Sequence, residues 1–371
     1  VEDLEGLNMF QDYYRGKSVF LTGHTGFKGS WLCQWLLLQG ATVHGFSLPP
    51  PTQPSLFDLL ELGTQLASDV RGDVQNLTSL TSALKAAQPD IAFHLAAQPL
   101  VRASYQDPAG TYASNVMGTV NFLEALRLSG RPCAAVVVTT DKCYENREWL
   151  HPYRETDPLG GHDPYSASKA CAEIVTASYR SSFAARTNLA IATARAGNVI
   201  GGGDFAEDRI LPDLYRATQT GKPLEIRSPR ATRPWQHVLD PLSGYLLLGK
   251  KLHQNLSLPV TDPHRRKLES AFNFGPGVRS NRSVHDLLCE VRKTWPIEWR
   301  EPDQAPEWHE AQLLDLSIEK AHHLLGWSPR WDFAETVRRT AAVYLAMMEP
   351  EANVADLLRQ DLAEFTGIPL P

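Results

Sequence analysis

Ser18-Val-Phe-Leu-Thr-Gly-His-Thr-Gly-Phe-Lys-Gly-Ser-Trp31 is the stretch from which this chain is best read. An apolar run ends in three glycines spaced Gly23-x-x-Gly26-x-x-Gly29, and a helical pattern follows over 30–39 before Gly40. Strand, glycine turn and helix together form the context in which such spacing holds a dinucleotide. Glycines let a pyrophosphate approach the backbone, and the helix start offers free N–H groups and a positive dipole end. Gly23, Gly26, Phe27 and Gly29 are therefore candidate cofactor contacts, with His24 and Lys28 as further donors to the phosphates. A tight turn with no ligand has the same local sequence.

Working outward, short apolar runs alternate with helical patterns. Strands are expected over 18–22, 42–46, 69–73, 91–96, 134–139 and 189–194, and helices over 112–128 and 164–180. Such alternation predicts βαβ units around a parallel sheet. After Gly201-Gly-Gly203 the rhythm becomes irregular, with many prolines and arginines, which marks entry to a smaller lobe. The expected fold is α/β: a Rossmann-type doubly wound parallel sheet with a smaller C-terminal α/β substrate lobe. Residues 1–200, with 234–272, are assigned to the dinucleotide domain, and 201–233 with 273–371 to the substrate domain.

The carboxylate that holds the adenosine ribose should fall about 20 residues beyond the loop, at the end of strand two. That strand ends in Gly45-Phe46-Ser47, which leaves NAD and NADP undivided at this position. Asp73, ending strand three, is a candidate adenine contact or equally a helix cap.

Tyr165 and Lys169 lie four apart on a predicted helix and so share a face. A free tyrosine, with a pKa of about 10, is a poor base at neutral pH. A neighbouring ammonium favours the phenolate, and a shift of ~3 units needs ~4 kcal/mol. Lys169 together with an oxidised nicotinamide is a source of that energy. Thr140-Asp141-Lys142 ends the fifth strand, whose carboxyl end should face the cofactor crevice. Thr140 suits a sugar hydroxyl, and Asp141 suits proton donation to a leaving hydroxide if burial keeps it neutral. Each cluster taken alone also reads as a solvated pair of charges or polar groups. Their order behind one glycine loop favours chemistry.

The chain of 371 residues, 43% hydrophobic and 21% charged, is long enough for two lobes of a globular enzyme. A net charge of −6 argues against broad nucleic-acid binding. The apolar run 31–38 is too short to span a bilayer, and no signal peptide or membrane partner is expected. Five scattered cysteines without a CxxC pair predict reduced thiols, a cytoplasmic protein and no metal.

These residues are similar to those of the extended short-chain dehydrogenase/reductases. The carriers are the glycine loop, His94-Leu-Ala96-Ala97, Asn115-Val-Met-Gly118-Thr119, Tyr165-x-x-x-Lys169 and Gly275 after Asn273-Phe274. Within that group the chain resembles the CDP-glucose branch of the sugar-nucleotide 4,6-dehydratases. That likeness rests on residues 23–31 and 96–102, Thr140-Asp-Lys-Cys-Tyr144, residues 195–204 and Arg233-Pro-Trp-Gln-His-Val238. It runs from about residue 16 to about residue 343.

The resemblance implies a lyase that uses bound NAD+ to oxidise C4 of CDP-glucose. Water then leaves across C5–C6 and hydride returns to C6, giving CDP-4-dehydro-6-deoxy-D-glucose. Tyr165 would be the base at C4, and Asp141 the acid. Sister dehydratases carry a glutamate where this branch has Lys142, so the C5 base stays open among Lys142, a rotated Tyr165 and an ordered water. Ala96 and Ala97 are implied as cofactor contacts. Gln98, Arg102, Asn198, Arg209, Arg233 and His309 are implied as substrate contacts, with Arg233 on the diphosphate. Arg195 and Arg227 are expected to pair with carboxylates instead, and Trp235 to be core or a stacking surface. Helices 112–128 and 164–180 resemble an intersubunit four-helix bundle, which implies a homodimer and leaves a homotetramer open. A nucleotide-sugar 4-epimerase and a non-catalytic dinucleotide sensor are the rival readings.

Overall fold

The structure is a computed structural model that describes residues 10, 12–226, 228–277, 280–301 and 313–369. Its centre is a seven-stranded sheet. Strands β1 (Ser18–Thr22), β2 (Thr42–Ser47), β3 (Ser68–Arg71), β4 (Ile91–His94), β5 (Cys133–Val138), β6 (Leu189–Ala196) and β7 (Ala271–Phe274) form it. Their order is β7-β6-β5-β4-β1-β2-β3, and every pairing is parallel. The order in which successive strands are added reverses between β1 and β4, so a crevice opens at their carboxyl ends, as in doubly wound folds. β5 and β6 are buried along their whole length, which explains runs such as Cys133-Ala-Ala-Val-Val-Val138 with no polar alternation.

Helices cover both faces. Those used below are α1 (Phe27–Leu38), α2 (Leu77–Ala87), α3 (Val101–Gln106), α4 (Gly118–Ser129) and α5 (Pro164–Ser182). Further along come α6 (Ile210–Thr220), α7 (Leu239–Asn255), α8 (Val284–Val291), α9 (Phe333–Ala346) and α10 (Val354–Thr366). α7 packs on β4, β5 and β6. α8 and α9 join Trp235 and Trp295 in a separate apolar cluster, the core of the smaller lobe.

Several expected boundaries shift, and three of them bear on the site. Strand three ends at Arg71, so Gly72 and Asp73 lie in the loop beyond it. Strand four ends at His94, because the Leu95 and Ala96 amides turn to meet the carbonyl and hydroxyl of Thr22. The helix expected over 112–128 is a short α-helix (Pro108–Tyr112), a π-helical turn (Ala113–Met117) and then α4. The wider turn carries Asn115, which donates to Ser168 Oγ at 2.8 Å and to the Gln98 carbonyl at 3.1 Å, tying this segment to α5.

The division between residues 272 and 273 falls inside β7, which pairs with β6. The C-terminal helix α10 lies against α1, with Phe365 and Trp35 edge to face at 5.6 Å between centroids. This accounts for the apolarity of α1 around its circumference. One side faces the sheet, and α10 covers another, so Trp31 and Trp35 are both buried. Among the described residues no helix is long and apolar enough to cross a membrane.

Candidate active site

A cleft of about 1500 Å3 runs from the glycine loop across the carboxyl ends of the strands into the smaller lobe. Its dinucleotide end is built by backbone. Gly23 has φ +74°, and a Cβ there would lie 2.6 Å from the Ala96 nitrogen. A Cβ on Gly29 would lie 2.1 Å from the Gly23 carbonyl oxygen, so α1 starts directly under the turn only because both residues are glycine. Gly26 is the N-cap of α1 and supplies no side-chain acceptor, so the first helical N–H groups face the cleft uncapped. Backbone N–H groups at a helix start, flanked by glycine, are the donor set a dinucleotide pyrophosphate requires. The residues present therefore fit that group.

Of the residues expected here, Gly23, Gly26, Phe27, Lys28 and Gly29 line the cleft, as do Ala96 and Ala97. Asp73 lines it too, but it does not cap α2; Asn76 does that, while Asp73 accepts from the Gln75 amide at 2.9 Å. His24 does not reach the phosphate side. Its ring turns into the interior, into space left by Gly45, and Nε2 meets Asp69 Oδ1 at 2.8 Å. Burial lowers its pKa, so the ring is an internal strut and not a phosphate donor. Lys28 sits at the catalytic end instead, with Nζ 5.9 Å from the centre of the Tyr245 ring. Burial brings its ammonium down to about 7, with Arg209 adding to the effect and Asp141 opposing it.

The reactive groups converge where β5 ends. Asp141–Cys143 forms one 3-10 turn capped by Thr140. Thr140 donates to Asp141 Oδ1 at 2.9 Å, and Asp141 Oδ2 is buried with no partner among the described residues. Burial raises the Asp141 pKa, while Lys142, Thr140, Arg233 and Lys28 pull the other way. Tyr165 and Lys169 face this turn from α5, which Asp163 caps through the Ser166 amide. Burial pushes the Tyr165 phenol up to about 12, and a hydrogen bond with Thr140 opposes that rise. Lys169 Nζ donates to the Val138 carbonyl at 3.2 Å. Burial brings its ammonium down to about 8, with Glu173 as the largest opposing influence.

On the substrate side, Arg102, Asn198, Arg209 and Arg233 line the cleft. Arg209 bonds Asp204 at 2.9 Å, and Arg102 bonds Asp208 at 2.8 Å. Gln98 also lines the cleft, but its amide is committed. It donates to the Leu100 carbonyl and Thr111 Oγ1, both at 3.0 Å, and accepts from the Leu100 amide. It shapes the loop after β4. His309 lies outside the described residues, as does Arg227. Arg195 pairs with Glu173 at 2.8 Å, the structural role expected for it. Trp235 is buried and donates to the Arg282 carbonyl at 3.0 Å, a core residue of the smaller lobe.

Two groups escaped the sequence reading. Glu173 accepts from Thr139 at 2.5 Å, Thr193 at 2.7 Å and Arg195 at 2.8 Å, directly behind Lys169. Its position four residues beyond Lys169 was the available signal. Tyr344 comes from α9 to donate to the Asp204 carbonyl at 2.7 Å, and nothing local in the sequence marks it.

The family model for GDP-mannose 4,6 dehydratase matches residues 20–340. The chain belongs to this dehydratase family. Among its relatives, CDP-glucose 4,6-dehydratase of Salmonella typhimurium (strain LT2) is 43% identical over 92% of this chain and 94% of that protein. UDP-glucose 4-epimerase of Mycolicibacterium smegmatis is 27% identical over 88% of this chain and 98% of that protein. In fold, the family member is similar to a dTDP-glucose 4,6-dehydratase from Streptomyces venezuelae solved with NAD and DAU bound. That likeness has a TM-score of 0.72 and 22% identity, covering 87% of this chain and 95% of the other.

Proposed function

We propose that the chain converts CDP-D-glucose to CDP-4-dehydro-6-deoxy-D-glucose and water, on a bound NAD cofactor. The observation that carries this is Asp141, a buried carboxyl raised toward its neutral form and held in the same cleft as Tyr165 and Lys169. An epimerase needs the Tyr/Lys pair alone. A dehydratase needs a proton donor as well, and the 43% identical relative carries that name.

The glycine loop, the start of α1 and Ala96 would hold the dinucleotide. A bound NAD+ would supply hydride uptake from C4 and its return to C6, and a proton must be restored to C5 to complete the product. Tyr165 receives the proton of the 4-hydroxyl, and Lys169 steadies the phenolate charge. The carbonyl so formed at C4 acidifies C5–H, which is why oxidation precedes loss of water. Asp141 gives its proton to the oxygen leaving C6, and Thr140 orients both Asp141 and Tyr165. Lys142, on the same turn, is the residue of this chain suited to the C5 proton or the enolate charge. Arg209 and Arg233 take the diphosphate, so a chain with net charge −6 meets its anionic substrate with local guanidinium groups.

A cytosolic setting suits a sugar-nucleotide substrate and five unpaired cysteines. A homodimer is the assembly we propose. Of eight large apolar residues exposed among those described, Tyr112, Met117 and Leu128 lie on the 108–129 segment, and Ile174 and Phe183 on or beside α5.

The test is incubation of the pure protein with NAD+ and CDP-glucose, followed by the alkali-induced absorbance of a 4-keto-sugar and the product mass. A mass 18 lower than substrate, to within about one unit, is expected from loss of water. An isomer of unchanged mass would establish the epimerase, and no turnover of any glucose nucleotide would remove both enzymes.

A further inference from the structure

At its rim the cleft is crossed by an ion pair between segments distant in sequence. Arg102 is the second residue of α3, in the wall that follows β4, and Asp208 lies just ahead of α6 in the smaller lobe, 106 residues later. Arg102 Nη1 donates to Asp208 Oδ1 at 2.8 Å. Both residues line the cleft, and their side chains remain 42% and 32% exposed. The pair therefore spans the mouth of the cleft from one lobe to the other.

The smaller-lobe end of this bridge is firmly mounted. The Asp204 carboxylate accepts from the Arg209 guanidinium at 2.9 Å and from the Ala206 amide at 3.1 Å, and its carbonyl accepts the Tyr344 hydroxyl at 2.7 Å. Arg216 of α6 donates to the Phe205 carbonyl at 3.1 Å and to the Ala206 carbonyl at 3.2 Å. Asp208 itself has φ +57°, in the left-handed region that few non-glycine residues adopt. The turn is thus fixed from α6 and α9 and presents a carboxylate toward α3. On the opposite wall, Asp208 is the partner that Arg102 takes among the described residues.

The proposed chemistry gives such a bridge a use. Between removal of hydride from C4 and its return to C6, the sugar is a 4-keto species held by no covalent bond. If it escapes in that interval, its two electrons stay behind. One reduced cofactor is left in the protein, one oxidised sugar is lost to solution, and the site stalls. We propose that Arg102 and Asp208 form a latch across the cleft mouth, which opens to admit the nucleotide-sugar and, when closed, retains it through that interval. This deepens the dehydratase reading and rests on it. One partly exposed ion pair changes an equilibrium by about two- to five-fold, so the latch slows escape without sealing the cleft.

Two measurements on the whole protein with NAD+ test it. In stopped flow, release of CDP should quicken by about two- to five-fold in Arg102→Ala and in Asp208→Asn. The double variant should release CDP no faster than either single one, because both changes remove one interaction. During CDP-glucose turnover, each variant should accumulate more protein-bound NADH than the unaltered protein, by a similar factor, which a general loss of fold would not produce. If Arg102→Ala quickens release and Asp208→Asn does not, the arginine acts on the ligand directly and the latch is overturned. Additive effects in the double variant, or unchanged release in both single ones, overturn it as well. Failure of the dehydratase reading shows separately, as absence of CDP-glucose turnover by the unaltered protein. Non-additive quickening of CDP release would then still establish the latch, and no binding of CDP would remove both claims.

Discussion

Thr140 donates its hydroxyl to Asp141 Oδ1 at 2.9 Å, while Oδ2 of the same buried carboxyl has no partner among the described residues. One oxygen is thus oriented and the other left for a proton. Asp141→Asn should preserve the fold and C4 oxidation yet stall loss of water, with kcat down by about 10²–10⁴. Because burial raises the Asp141 pKa, the proton donor is lost as pH rises through that raised value. Turnover should therefore decline on the alkaline side of a limit above the usual carboxylate range. Rapid-quench mass analysis of the 4-keto intermediate checks both statements, and wild-type turnover by the asparagine variant would remove the acid role.

Gly197 guards the same oxygen. A Cβ there would lie 3.0 Å from Asp141 Oδ2 and 2.8 Å from Pro234 Cγ. Gly197→Ala should displace the carboxyl or the Arg233-Pro234 strand, lowering kcat by about ten-fold or more. Circular dichroism should stay native. Full activity in the folded variant would show that the position of Asp141 is not critical.

Glu173 supports both halves of the site. It is the chief group opposing the burial-driven fall of Lys169, and it neutralises buried Arg195. Glu173→Gln leaves Arg195 without its counter-charge, which costs about 3–5 kcal/mol in comparable buried pairs. It should also bring Lys169 below about 8, so the loss of activity tied to Lys169 deprotonation moves to lower pH. A pH profile measured well below the melting temperature separates the two effects. An unmoved profile would leave Glu173 a purely structural residue.

Met117 and Ile174 are each more than half exposed, on the π-helical turn and on α5. If these segments form a subunit interface, Met117→Arg with Ile174→Arg should yield monomers in light scattering, because two charges in an apolar contact are costly to desolvate. Unchanged mass in the double variant would place the interface elsewhere.

Asp240 is buried, with Oδ1 accepting from the Arg330 amide at 2.6 Å and Oδ2 unpartnered among the described residues. Burial pushes its carboxyl up to about 7. The folded state then binds more protons than the unfolded one, whose carboxyl titrates at about 3.9. This contribution to stability is full below that lower value and is lost as pH rises through about 7. Asp240→Asn should flatten that decline by several degrees of Tm, of the order expected for a few kcal/mol. Parallel slopes of Tm against pH in the two proteins would count against it.

Much of the site is legible in linear order because its pieces are local. A glycine turn, a Tyr/Lys pair one helical turn apart and a polar tripeptide at a strand end each need only neighbouring residues. What the reading did not show is set by contacts outside each motif. His24 sits in the phosphate loop, yet Gly45 and Asp69 draw its ring inward. Gln98 sits in the cleft wall, yet Thr111 and Leu100 consume its amide.

The sequence by itself determined the doubly wound sheet, the glycine loop and the candidate reactive side chains, because periodicity, glycine spacing and strand ends are properties of adjacent residues. Tertiary structure alone decided that Asp141 is buried beside Tyr165, that Glu173 stands between Lys169 and Arg195, and that Arg102 meets Asp208. Burial and contacts between distant segments set which form of an ionisable group is favoured, and neither is written in the order of the residues.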